Sequence, residues 1–120
     1  VPLAGAKSIA AGGMYYSSGT PYGSSMALLE DGTVWSWGYN GYGQLGVDTG
    51  SSNKSYATKV WGLSGITTIA MGGRWVNDAT YGYHTIAGGP TGLWTWGHND
   101  NGQLGTGNAL TYYNPWNNRP

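Results

Sequence analysis

Two imidazoles, His84 and His98, and five carboxylates are the acid–base groups of this 120-residue sequence. A Ser–His–Asp site needs one of the imidazoles beside an activated serine, and no nucleophile elbow of the Gly-x-Ser-x-Gly type occurs. His98 stands where a first copy of its segment has Tyr39, which places it at a surface or rim. Glu30 and Asp31 are adjacent in Glu30-Asp31-Gly32-Thr33. Neighbours in a tight turn point apart, whereas paired glycosidic carboxylates face each other across a cleft. A calcium loop wants several carboxylates among roughly 6–8 oxygen ligands. Asn40-Gly41-Tyr42-Gly43 supplies none and Asn99-Asp100-Asn101-Gly102 supplies Asp100 alone, so both read as turns. Cysteine is absent, which removes disulfides, thiolate metal sites and thiol nucleophiles. No Gly-Lys-Ser/Thr leads from a strand into a helix to cradle phosphate. The expectation is a chain that is not an enzyme, with no catalytic residue, no metal and no cofactor.

The remaining chemistry is aromatic. Seven Trp and ten Tyr supply large faces that stack on sugars or on other side chains. Trp35 and Trp37, like Trp94 and Trp96, are two positions apart, so period-two alternation puts each pair on one face of a strand, where packing into a core is the expected role. Aromatic residues in the more variable segments are better candidates for a glycan or protein ligand: Tyr15, Tyr16, Tyr22, Trp75, Tyr81, Tyr83, Tyr112, Tyr113 and Trp116. The same residues suit packing between units of an assembly. Asn53-Lys54-Ser55 fits a glycosylation acceptor in an exposed loop.

Charge narrows the partners. Only 8 % of the residues are charged and the formal net charge is zero, against about 25 % charged in ordinary soluble proteins. Lys7, Lys54, Lys59, Arg74 and Arg119 are scattered, so nucleic acid is not an expected partner. No apolar run approaches the ~18 residues of a membrane helix. No basic segment followed by an apolar stretch opens the sequence, so any signal peptide is expected to be already missing.

The elements that must position these groups are strands. The chain holds 23 Gly but few Glu, Lys, Arg or Gln, and each Gly costs a helix interior about 1 kcal/mol relative to Ala. Short apolar runs separated by Gly-rich turns indicate an all-β chain. The runs also recur. Trp35-Ser36-Trp37-Gly38-Tyr39-Asn40-Gly41-Tyr42-Gly43-Gln44-Leu45-Gly46 returns as Trp94-Thr95-Trp96-Gly97-His98-Asn99-Asp100-Asn101-Gly102-Gln103-Leu104-Gly105. Ile9-Ala10-Ala11-Gly12-Gly13 returns as Ile69-Ala70-Met71-Gly72-Gly73. Trp35 to Trp94 is 59 positions and Ile9 to Ile69 is 60, the difference arising at a shortened turn.

Two domains follow, 1–60 and 61–120. In each, a short strand ends in the Gly pair (7–11 and 67–71), a variable stretch follows (14–23 and 74–83), and a second strand covers 25–29 or 84–87. Asp31-Gly32 is a hairpin turn, since Asp-Gly tolerates the positive φ such turns need, and Val34 to Trp37 is the return strand. Four short β elements and a polar loop in ~60 residues is the size of one propeller blade.

The pattern Ala-Leu-x-x-Asp-Gly-x-Val-Trp-x-Trp-Gly-x-Asn-x-x-Gly-Gln-Leu-Gly from Ala27 to Gly46, preceded by Ile-Ala-x-Gly-Gly, resembles the repeat of the regulator of chromosome condensation family. In the second copy Gly88-Gly89-Pro90-Thr91-Gly92 replaces the acidic turn. His84 stands where that family usually has a His, and Ser24 takes that place in the first copy. The resemblance implies a β-propeller, typically of seven blades, without implying one activity.

Two blades of four short antiparallel strands each cannot close a ring, which takes about 4–8. They would expose Trp- and Leu-rich faces and strand edges, so neighbouring copies are expected to complete them. Leu3 falls on Leu63, Gly5 on Gly65 and Ile9 on Ile69, so the sequence starts and stops in phase within one inter-repeat linker. The expectation is head-to-tail assembly of copies, with Val1, Pro2, Leu3, Trp116, Arg119 and Pro120 at the junction. Such a contact closes into a ring or runs on as a filament; three or four chains would give six or eight blades, and the absence of a cap-like repeat favours the filament. Low charge with abundant Gly, Ser, Thr, Asn and Tyr suits an extracellular polymer. The alternative is a binding module whose variable loops take a protein or glycan. The more remote one, implied by the family's eukaryotic namesake, is nucleotide exchange on a small GTPase, which would need a complete ring and an exchange wedge that the sequence does not display.

Overall fold

The computed structural model describes residues 3–15, 21–47, 51–76, 79–81 and 83–107. Described side chains exclude positions 14, 15, 21, 74–76 and 79–81. Every regular element among the described residues is a strand: β1 (Ala6–Tyr15), β2 (Pro21–Leu29), β3 (Val34–Gly38), β4 (Lys54–Lys59), β5 (Thr68–Met71), β6 (Arg74–Val76), β7 (Ala79–Tyr81), β8 (His84–Gly89) and β9 (Gly92–Gly97).

The first copy forms a four-stranded antiparallel sheet in the order β1-β2-β3-β4. The second forms β5-β8-β9, with β6 and β7 paired as a separate ribbon. The two sheets are successive propeller-type blades. The register repeats: Ala27 lies opposite Ile9 and Trp35 in the first sheet, as Ala87 lies opposite Ile69 and Trp94 in the second. A fourth strand of the second copy would fall in 108–120, outside the described residues.

The inner strands differ from the sequence expectation. β1 does not stop at its Gly pair but runs through Gly12 and Gly13 to Tyr15, pairing Gly12 with Ser24 and Gly13 with Gly23. Ribbon β6–β7 likewise lies within the stretch 74–83, which the repeat pattern marks as variable. The Gly pair is instead where the blades converge, since β1 runs beside β5 and β6. A Cβ on Gly12 would sit 2.9 Å from the Gly72 carbonyl oxygen, closer than carbon and oxygen tolerate, so the converging backbones need residues without side chains.

The hairpin at 30–33 forms as expected. Gly32 has φ +79°, Leu29 N–H donates to Thr33 O at 2.9 Å and Gly32 N–H to Leu29 O at 3.0 Å. Asp31 accepts from Thr33 Oγ1 at 2.6 Å and Thr33 N–H at 2.9 Å. The Thr33 hydroxyl, then its amide, hold the Asp31 carboxyl below the usual carboxylate range, with Lys59 adding to the effect.

The core lies between the blades. Met26, Leu28 and Val34 of the first sheet pack with Leu45, Val47, Val60, Ile66, Ile69, Ala87 and Trp96. Alternation therefore has opposite outcomes in the two copies. On β3 the buried side chains are Val34 and Ser36, while Trp35 and Trp37 are half-buried. On β9 Trp96 is buried, and Trp94 is half-buried against the core. The expectation that both Trp pairs are core is thus corrected for the first copy, and in the second it holds fully for Trp96 alone. The tryptophan face of the first copy is the one that no blade among the described residues covers.

Candidate functional site

The Asn-x-x-x-Gln-Leu-Gly loop is built the same way in both copies. Asn40 Oδ1 accepts from Leu45 N–H at 3.0 Å, as Asn99 Oδ1 does from Leu104 N–H at 3.0 Å. Gln44 Oε1 accepts from Tyr42 N–H at 2.9 Å, matched by Gln103 Oε1 and Asn101 N–H at 2.9 Å. Ser36 Oγ donates to Leu45 O at 2.7 Å and Thr95 Oγ1 to Leu104 O at 2.8 Å. The short amides thus take over backbone groups of a loop too irregular to pair them itself. These Asn and Gln residues, turn formers by their sequence pattern, are what fix the loop's carbonyls in place.

One of those carbonyls makes the seam. Gln44 O accepts from Trp96 Nε1–H at 2.9 Å and from Thr85 Oγ1–H at 2.8 Å, both in the second blade. The indole lies over Gly46, where a Cβ would meet Trp96 Nε1 at 2.8 Å. This Gly also has φ +67°, so its lack of a side chain serves the turn and the seat together.

The outer faces carry the two halves of the same contact. On the open face of the first blade stand Trp37 and Ser25, the counterparts of Trp96 and Thr85, and their Nε1 and Oγ bond to nothing among the described residues. On the open face of the second blade stands the Gln103 carbonyl, counterpart of Gln44, with no described donor. Beside it is Gly105, where a Cβ would have nothing within 4 Å. The apolar residues follow suit. Ile9 is 78 % exposed where its counterpart Ile69 is 9 %, and Leu93 is 61 % exposed where Val34 is 0 %. Ile9, Ala10, Ala11, Ser25, Met26 and Trp37 line a groove of ≈ 370 Å³. A second groove of ≈ 330 Å³ is lined by Leu3 together with Trp37, Ser55, Tyr56 and Ala57.

The aromatic candidates divide. Tyr22 and Tyr83 come together, joined by Tyr39 and Tyr42, whose place inside the repeat motif hides them from a search of the variable segments. Tyr22 and Tyr39 have ring centroids 4.6 Å apart, Tyr39 and Tyr83 5.6 Å, and Tyr42 stacks on Tyr83 at 5.7 Å. Tyr83 is buried, and its hydroxyl reaches Tyr22 O at 3.4 Å, so it ties the blades together. Trp61, exposed under Lys59 Nζ 4.7 Å from its ring centroid, also escapes sequence reasoning, because its position after β4 carries no repeat signal. The side chains of Tyr15, Trp75 and Tyr81 lie outside the described ones. So do residues Tyr16, Tyr112, Tyr113, Trp116, Val1, Pro2, Arg119 and Pro120, among them most of the expected junction.

His98 corrects another expectation. It is buried, not at the surface, because the ring of Tyr42 covers it edge-on at 4.7 Å. Gln103 Oε1 is used by Asn101, so Gln103 Nε2 donates to His98 Nδ1 at 3.1 Å and the ring proton sits on Nε2. Asp100 approaches Nε2 to 2.9 Å without hydrogen-bond alignment. Among the described residues no three His, Cys, Asp or Glu stand close enough to hold a metal ion.

The family model of the regulator of chromosome condensation (RCC1) repeat matches residues 22–44. These residues carry the hairpin, β3 and the Gln44 loop. The chain is built from RCC1-like repeats. Among curated proteins, human E3 ubiquitin-protein ligase HERC2 is 34 % identical over 92 residues, 76 % of this chain and 2 % of that protein. Human probable E3 ubiquitin-protein ligase HERC4 is 35 % identical over 94 residues, 75 % of this chain and 8 % of that protein. The chain thus spans under a tenth of the length of these relatives. No helix among the described residues is long and apolar enough to cross a membrane.

Proposed function

We propose that this RCC1-like repeat pair is a structural, self-assembling protein, non-catalytic, whose blades associate with blades of further copies. The supporting observation is the exchange of burial between equivalent positions: Ile9 and Leu93 stand in water where Ile69 and Val34 are covered. Burying an isoleucine or leucine contributes about 1.5–3 kcal/mol, so covering both faces is favourable. Sedimentation over a hundredfold range of protein concentration tests the reading. Growth of assemblies with concentration is expected, and a folded 12.6 kDa monomer throughout contradicts it. Electron microscopy of the assembled material separates filament from closed ring. A location outside the cell belongs to the same proposal and rests on composition.

A second reading, recognition of a protein or glycan through the loops, is favoured by the half-buried rings of Tyr22, Tyr39 and Tyr42. Tyrosines of this kind offer large contact area with little conformational freedom to lose. Tyr42→Ala would then abolish binding to a glycan array or an isolated protein partner while leaving assembly size unchanged.

A further inference from the structure

The two open faces differ in chemistry, and the difference dictates how they pair. The first blade offers two donors, Trp37 Nε1–H and Ser25 Oγ–H. The second offers one acceptor, the Gln103 carbonyl, beside the open space over Gly105. Two Leu93–Gln103 faces brought together would meet acceptor with acceptor, and each carbonyl would lose its water and gain no partner, a larger penalty than a hydrogen bond ordinarily returns. Two Ile9–Trp37 faces would have only the Ser25 hydroxyl to accept from the indole and no carbonyl loop with a glycine seat like that at Gly46. Unlike faces satisfy all three.

We infer that association is polar. The Ile9–Trp37 face of one copy takes the Leu93–Gln103 face of a second copy, and Trp37 Nε1 and Ser25 Oγ of the first donate to the Gln103 carbonyl of the second. This inference rests on the self-assembly reading and specifies its partner surface. The template is the internal seam, in which Trp96 and Thr85 make those bonds to Gln44 at 2.9 and 2.8 Å. The acceptor loop keeps its shape between copies: φ is +71° and +67° at Gly43 and Gly46, +73° and +71° at Gly102 and Gly105. Gly105 repeats the seat that Gly46 provides for an indole. The apolar surface is also kept in bulk, though not in position. Leu28 and Val34 become Gly88 and Leu93, and a Cβ on Gly88 would lie 3.4 Å from Leu93 Cδ1. Leu93 therefore reaches across the strand pair to cover the place of Leu28, and Ile9 of a second copy meets it as Ile69 meets the first blade.

Single-face variants test the polarity. Ile9 and Leu93 are exposed, so Ile9→Asp and Leu93→Asp leave the internal core intact, which near-ultraviolet circular dichroism verifies. Light scattering after size exclusion is then run on each variant and on their equimolar mixture. Each variant alone is expected to be monomeric, and the mixture to form a 1:1 dimer that grows no further. A dimer of either variant alone, or a mixture that stays monomeric while the unsubstituted chain associates, overturns the polar pairing. An unsubstituted chain that never associates overturns the self-assembly reading itself. Trp37→Phe placed in Leu93→Asp keeps the ring but removes the N–H, and weakens pairing with Ile9→Asp about tenfold. Ser25→Ala in the same background weakens it several-fold. Unchanged affinity in both would overturn the hydrogen-bonded register.

Discussion

Trp37 and Trp96 hold the same place in two copies of one repeat, so the same substitution at each separates what a blade needs internally from what it needs across an interface. Trp96 is buried and donates to Gln44 O. Trp96→Ala removes the ring and leaves a cavity, at a cost of about 3–5 kcal/mol. Trp96→Phe is gentler, because Gln44 O keeps the Thr85 hydroxyl at 2.8 Å. It loses one hydrogen bond, about 1 kcal/mol, and part of the ring contact. Thr85→Val removes the other donor at a similar cost. Together they strand the carbonyl of fully buried Gln44. The double variant is therefore expected to lose about 1–3 kcal/mol more than the sum of the singles, the penalty for an unpaired buried acceptor.

Trp37 is half-buried and donates to no described group, so Trp37→Phe is expected to change the stability of the lone blade pair by about 0.5 kcal/mol or less. Its effect grows with protein concentration as association contributes to stability. Urea unfolding, followed by far-ultraviolet circular dichroism at two concentrations a hundredfold apart, reads both behaviours. The loss at Trp96 stays constant and the loss at Trp37 increases. Equal losses at the two tryptophans in dilute solution, or strict additivity of Trp96→Phe with Thr85→Val, would refute the seam as described.

Three further outcomes follow from the same geometry. Gly12→Ala pushes a methyl to 2.9 Å from Gly72 O and costs about 1–3 kcal/mol, whereas Gly23→Ala, with nothing within 4 Å, stays within about 0.5 kcal/mol; equal melting temperatures for the two would contradict the convergence of β1 on the second blade. Asn40→Ala strips the buried Leu45 N–H of its acceptor and costs about 1–3 kcal/mol, and hydrogen exchange at Leu45 should accelerate by a similar factor to the loss of stability. Asp31, with its carboxyl lowered by the Thr33 hydroxyl and amide, lends stability above the usual carboxylate range that fades as pH falls through its folded value; carbon-detected NMR titration of Thr33→Val should show that midpoint rising, and an unmoved midpoint argues against the hydroxyl as the main cause.

The repeat, the all-β class and the Asp31-Gly32 hairpin were legible because each depends on local chemistry: period-two alternation, scarce helix formers, a Gly at positive φ. The role of the Trp-x-Trp motif was legible only in half. Alternation states that Trp35 and Trp37 share a face, but coverage of that face is decided by another blade about sixty residues away or in another molecule. His98 misled for a similar reason. Its neighbours in sequence are polar, and it is buried by Tyr42 from the preceding copy. The Gly12-Gly13 pair looked like the end of a strand because Gly so often ends one; its reason is an approach between two backbones that no single strand reveals. Gln44 passed as a loop residue because the atom that matters is its carbonyl oxygen, which every residue has.

The internal seam and the proposed external one would use the same bonds, yet they cannot be equally strong. Residues 60–67 tie the second blade to the first, so the internal contact forms at an effective concentration that short linkers set at about millimolar. The external contact also loses the translational and rotational freedom of a free partner, about 4–15 kcal/mol at standard concentration. Open-ended growth therefore adds each copy with one weak contact and gives a broad, concentration-dependent distribution of lengths. A ring differs at its last step alone. Once the rotation between blades brings the ends together, the closing contact is intramolecular and regains the advantage of the linker, so closed species would dominate over open ones of the same size. The width of the size distribution thus reports on the angle between adjacent blades: a single narrow species of three or four copies requires an angle that closes, and a continuous ladder requires one that does not.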